Sequence, residues 1–381
     1  GGSRMNYSYR KFFQNLYITQ EQQFRFAAQT ESEYCLWKEA FLSALKETLG
    51  LNKLARIGEA VAGQKPRLLE ESQKDGYLCR KYVLETLPDV FMPFYMLIPD
   101  TATDAVFLKH PDLAAVPSPH TAPAIITIPA HGANKNTVCG IAENREEAQK
   151  IKDAPEECYG QIFAQKGYVV FCPDPPGYGE RVEPMPTEDS AFGAVKKRTS
   201  LDCSCKDLAQ TAEAFGFSLT SLEVWQLQKI LDFAGCCPEI ATDENGLRIG
   251  CAGFSGGGQY SMWLSALDER IRLCVISGYV HGYLDSLLGC HLCPCNYAPG
   301  LWTLGDISDI CSLIAPRPLF VENGIDDIEN GADGISGPRR QLARIMNAYQ
   351  LFGQEELLIH HTPAGSHKWH GGCYQFVDKW L

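Results

Sequence analysis

Gly253-Phe254-Ser255-Gly256-Gly257 stands between a short apolar run and a helix-forming run, and it restricts the fold more than any other stretch of the chain. The G-x-S-x-G pattern sets a serine on a tight strand-to-helix turn with its hydroxyl exposed. Side chains two residues before and after that serine would collide, so glycine occupies both places. Upstream, Leu247-Arg248-Ile249-Gly250-Cys251-Ala252 is short and mostly apolar, as a buried strand is. Downstream, Gln259 to Leu267 reads as a helix.

The rest of the chain fits the same frame. Ala124–Pro129, Tyr168–Pro173, Leu273–Ser277, Pro318–Glu322 and Leu357–His360 are further apolar strands. Helical stretches lie between them, at Leu222–Ala234, Arg339–Phe352 and Gly372–Leu381, and one ends over Ile162–Lys166. Near-continuous apolar strands alternating with helices predict an α/β fold with a doubly wound, mainly parallel sheet covered on both faces. Ahead of it, Tyr77–Thr86 and Val90–Pro99 alternate as an antiparallel pair. Residues 6–55 carry apolar positions at helical spacing, with Gly50 as a stop, so residues 1–75 are expected to form an N-terminal helical extension and 76–381 the catalytic domain. Residues 135–160 and 175–220 read as long irregular loops.

Composition excludes some partners. The 381 residues carry a net charge of −12, which disfavours nucleic acid and anionic membranes. No apolar run reaches the roughly 18–20 residues that span a bilayer. Gly1-Gly2-Ser3-Arg4 before Met5 reads as a tag remnant, and the residues after it lack the apolar core of a signal peptide, so a cytoplasmic location is expected. Sixteen irregularly spaced cysteines in a chain of this length read as free thiols. Cys203 and Cys205 form one local cluster, and Cys290-His291-Leu292-Cys293-Pro294-Cys295 another. The single residue between Cys293 and Cys295 suits a tetrahedral metal site poorly, and no second C-x-x-C pair lies nearby. The expectation is a packed loop with no metal.

A serine hydroxyl needs an adjacent base. Two loops after later strands offer one. Asn323-Gly324-Ile325-Asp326-Asp327 follows one strand, and Thr362-Pro363-Ala364-Gly365-Ser366-His367 follows another. The order Ser, Asp, His is that of α/β-hydrolases. Ser255, Asp327 and His367 are therefore the expected triad, with Asp326, Glu322 and His370 as alternatives; His360 and His361 are expected to be structural. An oxyanion hole needs two backbone N–H groups. Gly256 should supply one and Ala133 the other, with Gly132 next, while His131 braces their turn.

On these residues the chain resembles bacterial α/β-hydrolases of the acetyl xylan esterase type, near the dienelactone hydrolase group. The resemblance runs from about residue 80 to the end. Ile128-Pro129-Ala130-His131-Gly132, Cys172–Arg181, Gly253–Gly258 and Tyr297-Ala298-Pro299-Gly300-Leu301 through Ala315–Leu319 carry it. Asp174-Pro175-Pro176-Gly177-Tyr178-Gly179-Glu180-Arg181 resembles that family's Asp-x-x-Gly-Phe-Gly-Glu-Arg segment, which makes Arg181 and Tyr178 candidates for substrate contact; an ion pair that shapes the loop is the alternative for Arg181. After Asp327 the family often has an apolar-Pro pair, whereas Ile328-Glu329-Asn330-Gly331 follows here.

The expected activity is hydrolysis of small acyl esters, such as acetates of sugars, through an acyl-enzyme on Ser255 and without a cofactor. A serine peptidase or amidase on the same fold is the alternative, as is a lyase, an acyltransferase or an inactive member. The expected partner is a small-molecule ester. The N-terminal helices cover the pocket or form a homo-oligomer interface; the sequence does not choose.

Overall fold

The structure, a computed structural model, describes residues 7–102, 121–184 and 198–381. Nine strands form one sheet: β1 Arg67–Lys74, β2 Tyr77–Leu87, β3 Val90–Pro99, β4 Ala124–Ile128, β5 Val169–Pro173, β6 Ile249–Phe254, β7 Cys274–Ser277, β8 Leu319–Glu322 and β9 Leu358–His361. Their spatial order is β1-β2-β3-β5-β4-β6-β7-β8-β9. β1 to β3 are antiparallel and join β5 antiparallel. From β5 onward every pairing is parallel. This is the expected doubly wound α/β architecture.

The central strands are apolar throughout because both faces are covered. Every residue of β4, β5, β6, β7 and β8 is buried. One face packs Phe41, Leu45, Val224, Leu227, Tyr260, Trp263, Ile310 and Ile345 against Ile126, Phe171 and Ile276. The other packs Tyr159, Phe163, Trp369, Phe376 and Val377 against Ile125, Val170 and Phe320. At about 25 cal/mol per Å² of apolar surface removed from water, these two layers are the main source of stability.

The N-terminal region departs from expectation. Its helices, α1 Arg10–Thr19, α2 Glu31–Leu49 and α3 Leu51–Gly58, end well before residue 75. α2 starts where the Thr30 side chain accepts the Glu33 N–H, and it stops at Gly50, whose φ of 82° is left-handed. Phe41, Leu45 and Leu49 of α2 belong to the same core as the sheet. The boundary at residue 75 is therefore corrected: β1 lies before it and belongs to the sheet. β1 gave no strand signal because all eight of its residues are exposed, so no alternation marks it.

The two stretches read as irregular contain helices. Asn134 and Asn144 accept the N–H groups of Thr137 and Glu147, starting Lys135–Val138 and Arg145–Asp153. Cys205–Ala214 is helical too, and residues 185–197 of the second stretch lie outside the described residues. The chain passes from β4 to β5 on one side, then returns past β4 to β6 on the other. This reversal puts a crevice at the carboxyl ends of β4 and β6, where open α/β sheets take ligands.

Candidate active site

Ser255 sits in that crevice. It joins β6 to the helix Gly256–Leu267 at φ 53° and ψ −118°, a conformation that costs roughly 1–3 kcal/mol and persists only where its surroundings enforce it. The enforcement is visible. The Ser255 N–H donates to the Ser277 carbonyl at 2.8 Å. A Cβ on Gly253 would lie 2.2 Å from the Gly257 carbonyl oxygen, and one on Gly257 only 1.9 Å from that of Ile128. Both positions therefore need glycine.

Asp327 and His367 come together as the sequence implied. His367 Nδ1 lies 2.7 Å from Asp327 Oδ2. The other Asp327 oxygen accepts the Glu329 N–H at 2.8 Å, which fixes the carboxylate. Asp326 is exposed, whereas Asp327 is buried. His367 Nε2 is buried without a hydrogen-bond partner among the described residues and lies 3.5 Å from Glu329 Oε2. Burial alone would lower the His367 pKa. The Asp327 hydrogen bond and the Glu329 charge outweigh it and hold the pKa above the usual 6.5.

The competing groups are occupied elsewhere. Glu322 accepts from Ser277 Oγ at 2.9 Å, His370 N at 3.0 Å and Gly372 N at 2.9 Å, and its other contact is His361 Nδ1 at 2.9 Å. It ties the end of β8 to the loop that carries His367. His370 Nε2 faces the Ser366 carbonyl, and His360 Nε2 faces Asn323. These groups position the loop and do not face the crevice.

Ser255, Gly256, His367, Phe254, Tyr279, Leu292, Cys293, Asn296, Glu329 and His131 line one cavity of about 270 Å³. Sequence reasoning missed Glu329 as a cavity residue. Its position two residues after Asp327, where the resembling family carries an apolar-Pro pair, was the available signal. His281 was also missed. It is wholly buried, with no side-chain partner for either ring nitrogen among the described residues, and burial lowers its pKa to about 4, so it stays neutral.

Two expectations are corrected. The Ala133 N–H donates to the Ala130 carbonyl at 3.0 Å, closing its own turn, so it is not available as an oxyanion donor. The Gly132 N–H is directed at Cys203 Sγ at 3.4 Å. Gly256, the other expected donor, does line the cavity. Arg181 and Tyr178 do not. Arg181 Nη1 donates to the Asp174 carbonyl and to Gln226, and the Tyr178 side chain is fully buried against the His131 ring.

Their loop is a structural knot. The Asp174 carboxylate accepts the Lys135 N–H at 2.8 Å and the Glu180 N–H at 3.1 Å, and it pairs with Lys135 Nζ at 3.0 Å. His131 reaches to two other segments. Its Nε2 lies 3.3 Å from both Cys205 Sγ and Cys295 Sγ.

Comparison with known proteins agrees with this fold. A sequence profile described as the Abhydrolase family matches residues 8–282. That span contains Ser255 and the N-terminal helices, so the family likeness starts well before residue 80. It stops short of Asp327 and His367. A protein of Bacillus subtilis (strain 168), YtaP, provisionally named a hydrolase, is 24% identical over 237 residues, covering 58% of this chain. The chain spans 66% of that relative's length. A Bacteroides fragilis structure provisionally named an acetyl xylan esterase superposes with a TM-score of 0.68 at 19% identity, covering 94% of this chain and 83% of the other. A glucuronoyl esterase from Teredinibacter turnerae T7901 superposes with a TM-score of 0.61 at 13% identity, covering 96% and 90%. At these identities the structural likeness shows the α/β-hydrolase fold.

Proposed function

The chain belongs to the Abhydrolase family, and on that premise we propose that it is a serine esterase acting on small acyl esters of sugars or similar alcohols. The observation that carries this reading is that Ser255, at a strained strand-to-helix turn, shares one cavity with His367, whose Nδ1 lies 2.7 Å from Asp327. Ser255 Oγ attacks the acyl carbon while His367 Nε2 takes its proton. Asp327 holds the proton on Nδ1 and stabilises the imidazolium. The Gly256 N–H faces the developing oxyanion. The alcohol leaves with the proton from His367, and water then cleaves the acyl-enzyme by the same route.

Size and charge narrow the substrate. A cavity of about 270 Å³ falls just below the usual range of roughly 300–1,000 Å³ for ligand sites, which favours acetate over long acyl chains. Among the described residues no Lys or Arg lines it and Glu329 does, which favours a neutral alcohol over an anionic one.

Hydrolysis of p-nitrophenyl acetate, butyrate and octanoate tests the reading, with acetylated xylo-oligosaccharides and methyl uronate esters run beside them. The expected order is acetate above butyrate, with octanoate negligible, and with acetate released from the sugars. Preference for the uronate esters would replace the acetyl assignment. Absence of activity on every ester would overturn the esterase reading.

Glu329 gives a pH prediction. Its carboxylate helps hold the His367 pKa above 6.5. A general base works only when neutral, so activity is lost as pH falls through that raised value. In Glu329→Gln the imidazolium loses a stabilising charge and the pKa falls. The acid limb of kcat/KM should then move to lower pH. A limb that stays in place or moves upward would refute this role for Glu329.

A further inference from the structure

Four side chains from three distant parts of the chain converge beside the cavity. They are His131 after β4, Cys205 at the start of the helix Cys205–Ala214, and Cys293 and Cys295 around the turn at Pro294. Their donor atoms all lie within 4.8 Å of one another. His131 Nε2 is 3.3 Å from Cys205 Sγ and 3.3 Å from Cys295 Sγ, and Cys205 Sγ is 3.5 Å from Cys293 Sγ. Cys205 and Cys295 are buried, and the other two are half-buried.

We propose that His131, Cys205, Cys293 and Cys295 form a Cys3His site for a tetrahedral divalent metal ion, Zn²⁺ by the softness of its donors. The distances fit. With metal–sulfur bonds of about 2.3 Å and a metal–nitrogen bond of about 2.0 Å, a tetrahedron has sulfur–sulfur edges of about 3.8 Å and sulfur–nitrogen edges of about 3.5 Å. Three of the six separations, His131 to Cys205, His131 to Cys295 and Cys205 to Cys293, lie within about 0.3 Å of those edges, slightly contracted, and the other three are no longer than 4.8 Å. The chemistry fits as well. One imidazole nitrogen has a single proton or lone pair, yet two sulfurs approach it equally closely. A metal at the centre satisfies all four donors at once, which hydrogen bonds among neutral thiols do not.

The short Cys293–Cys295 spacing is no obstacle. The Asn296 N–H donates to the Cys293 carbonyl at 3.0 Å, so the chain turns back at Pro294 and both sulfurs face the same point. Cys290 is exposed and takes no part, and His291 lies outside the donor set. Cys203 sits two residues before a ligand but directs its sulfur at the Gly132 N–H.

Binding replaces the thiol protons of Cys205, Cys293 and Cys295, which leave to solvent, and engages the Nε2 lone pair of His131. The filled site carries a net charge of −1. Four protein donors leave no position for water, so the ion acts structurally. It ties the loop after β4 to two segments that flank the cavity. Ligation at Nε2 also leaves the ring proton on Nδ1, the nitrogen that faces Gly256.

The test is metal analysis of the full chain, expressed with added zinc and purified under reducing conditions without chelator. The expected result is about one Zn²⁺ per chain in the wild type and in Cys236→Ser, whose thiol is exposed elsewhere. Cys205→Ser and Cys295→Ser should lose the ion. Because these variants could fail to fold, the metal-stripped, reduced wild type is also titrated with Co²⁺. A thiolate-to-cobalt absorption band should saturate at about one equivalent and disappear on addition of Zn²⁺. The proposal is overturned by wild type that carries less than about a tenth of an equivalent and gives no saturable Co²⁺ band. It is equally overturned by a Cys205–Cys293 disulfide whose reduction restores no metal binding. These readouts need no ester hydrolysis, so the site and the esterase reading stand or fall separately.

Discussion

Ser255→Ala should reduce ester hydrolysis by a factor on the order of 10⁴–10⁶ in kcat while leaving the fold intact. The hydroxyl is the group proposed to form the acyl bond, and among the described residues lining the cavity the other nucleophile, the Cys293 thiol, is not at a strained turn. Among the described residues the side chain carries no fold-defining hydrogen bond, and the turn is held by the Ser255 N–H and by the close approach of Gly257 to Ile128. Alanine keeps both. Kinetics on p-nitrophenyl acetate and a thermal melt, made on the same preparation, check the two halves of this prediction. A loss below tenfold would place the chemistry elsewhere. A large loss accompanied by an unfolded melt would leave the fold half of the prediction wrong.

Lys135→Met should lower stability by about 3–5 kcal/mol, the usual effect of removing one partner of a buried ion pair. Lys135 and Asp174 are both fully buried, with Nζ to Oδ2 at 3.0 Å, and Glu180 completes the group. Methionine fills similar space but leaves the Asp174 carboxylate without its cation. At about 2.1 cal/mol/K of unfolding entropy per residue, a chain of this length should melt roughly 4–6 °C lower. Glu180 adds a pH signature. Burial would raise its pKa, but Lys135 outweighs that and holds it below 4.5. Its contribution is therefore complete above about pH 4.5 and is lost as pH falls through the lowered value. Lys135→Met should lose that part of the acid sensitivity. A melt within about 1 °C of wild type would contradict the buried-pair argument. The double variant Lys135→Met/Asp174→Asn, which removes both charges of the pair but keeps an acceptor for the Lys135 and Glu180 N–H groups, should recover part of the loss.

The sequence made legible whatever depends on local pattern. Central strands buried on both faces must be apolar along their whole length, so β4 to β8 could be read within a residue or two. The turn at Ser255 needs glycine on both sides, and no other arrangement fits. Strand ends and the Ser, Asp, His order pointed to Asp327 and His367 but left Asp326, Glu322 and His370 open, and burial and contact in the fold are what separate them. What failed depends on where a group points after folding. The Ala133 amide closes its own turn, and no spacing rule reveals which of several loop amides remains free. Tyr178 and Arg181 were placed at the right edge of the sheet, but their side chains turn inward. β1 is an exposed edge strand without alternation. The His131, Cys205, Cys293 and Cys295 cluster draws on segments scores of residues apart, so its members look unrelated until the chain folds.

The close approach of Gly257 to the Ile128 carbonyl, which would leave a Cβ only 1.9 Å from that oxygen, has one more consequence. β4 and the serine turn touch through main chain, without an intervening side chain. The distance between the reactive hydroxyl and the loop after β4 is thus fixed by atoms that every amino acid shares. Substitutions around the pocket can change what fits in it without changing that distance. A scaffold of this kind lets substrate preference drift while the reacting geometry stays constant.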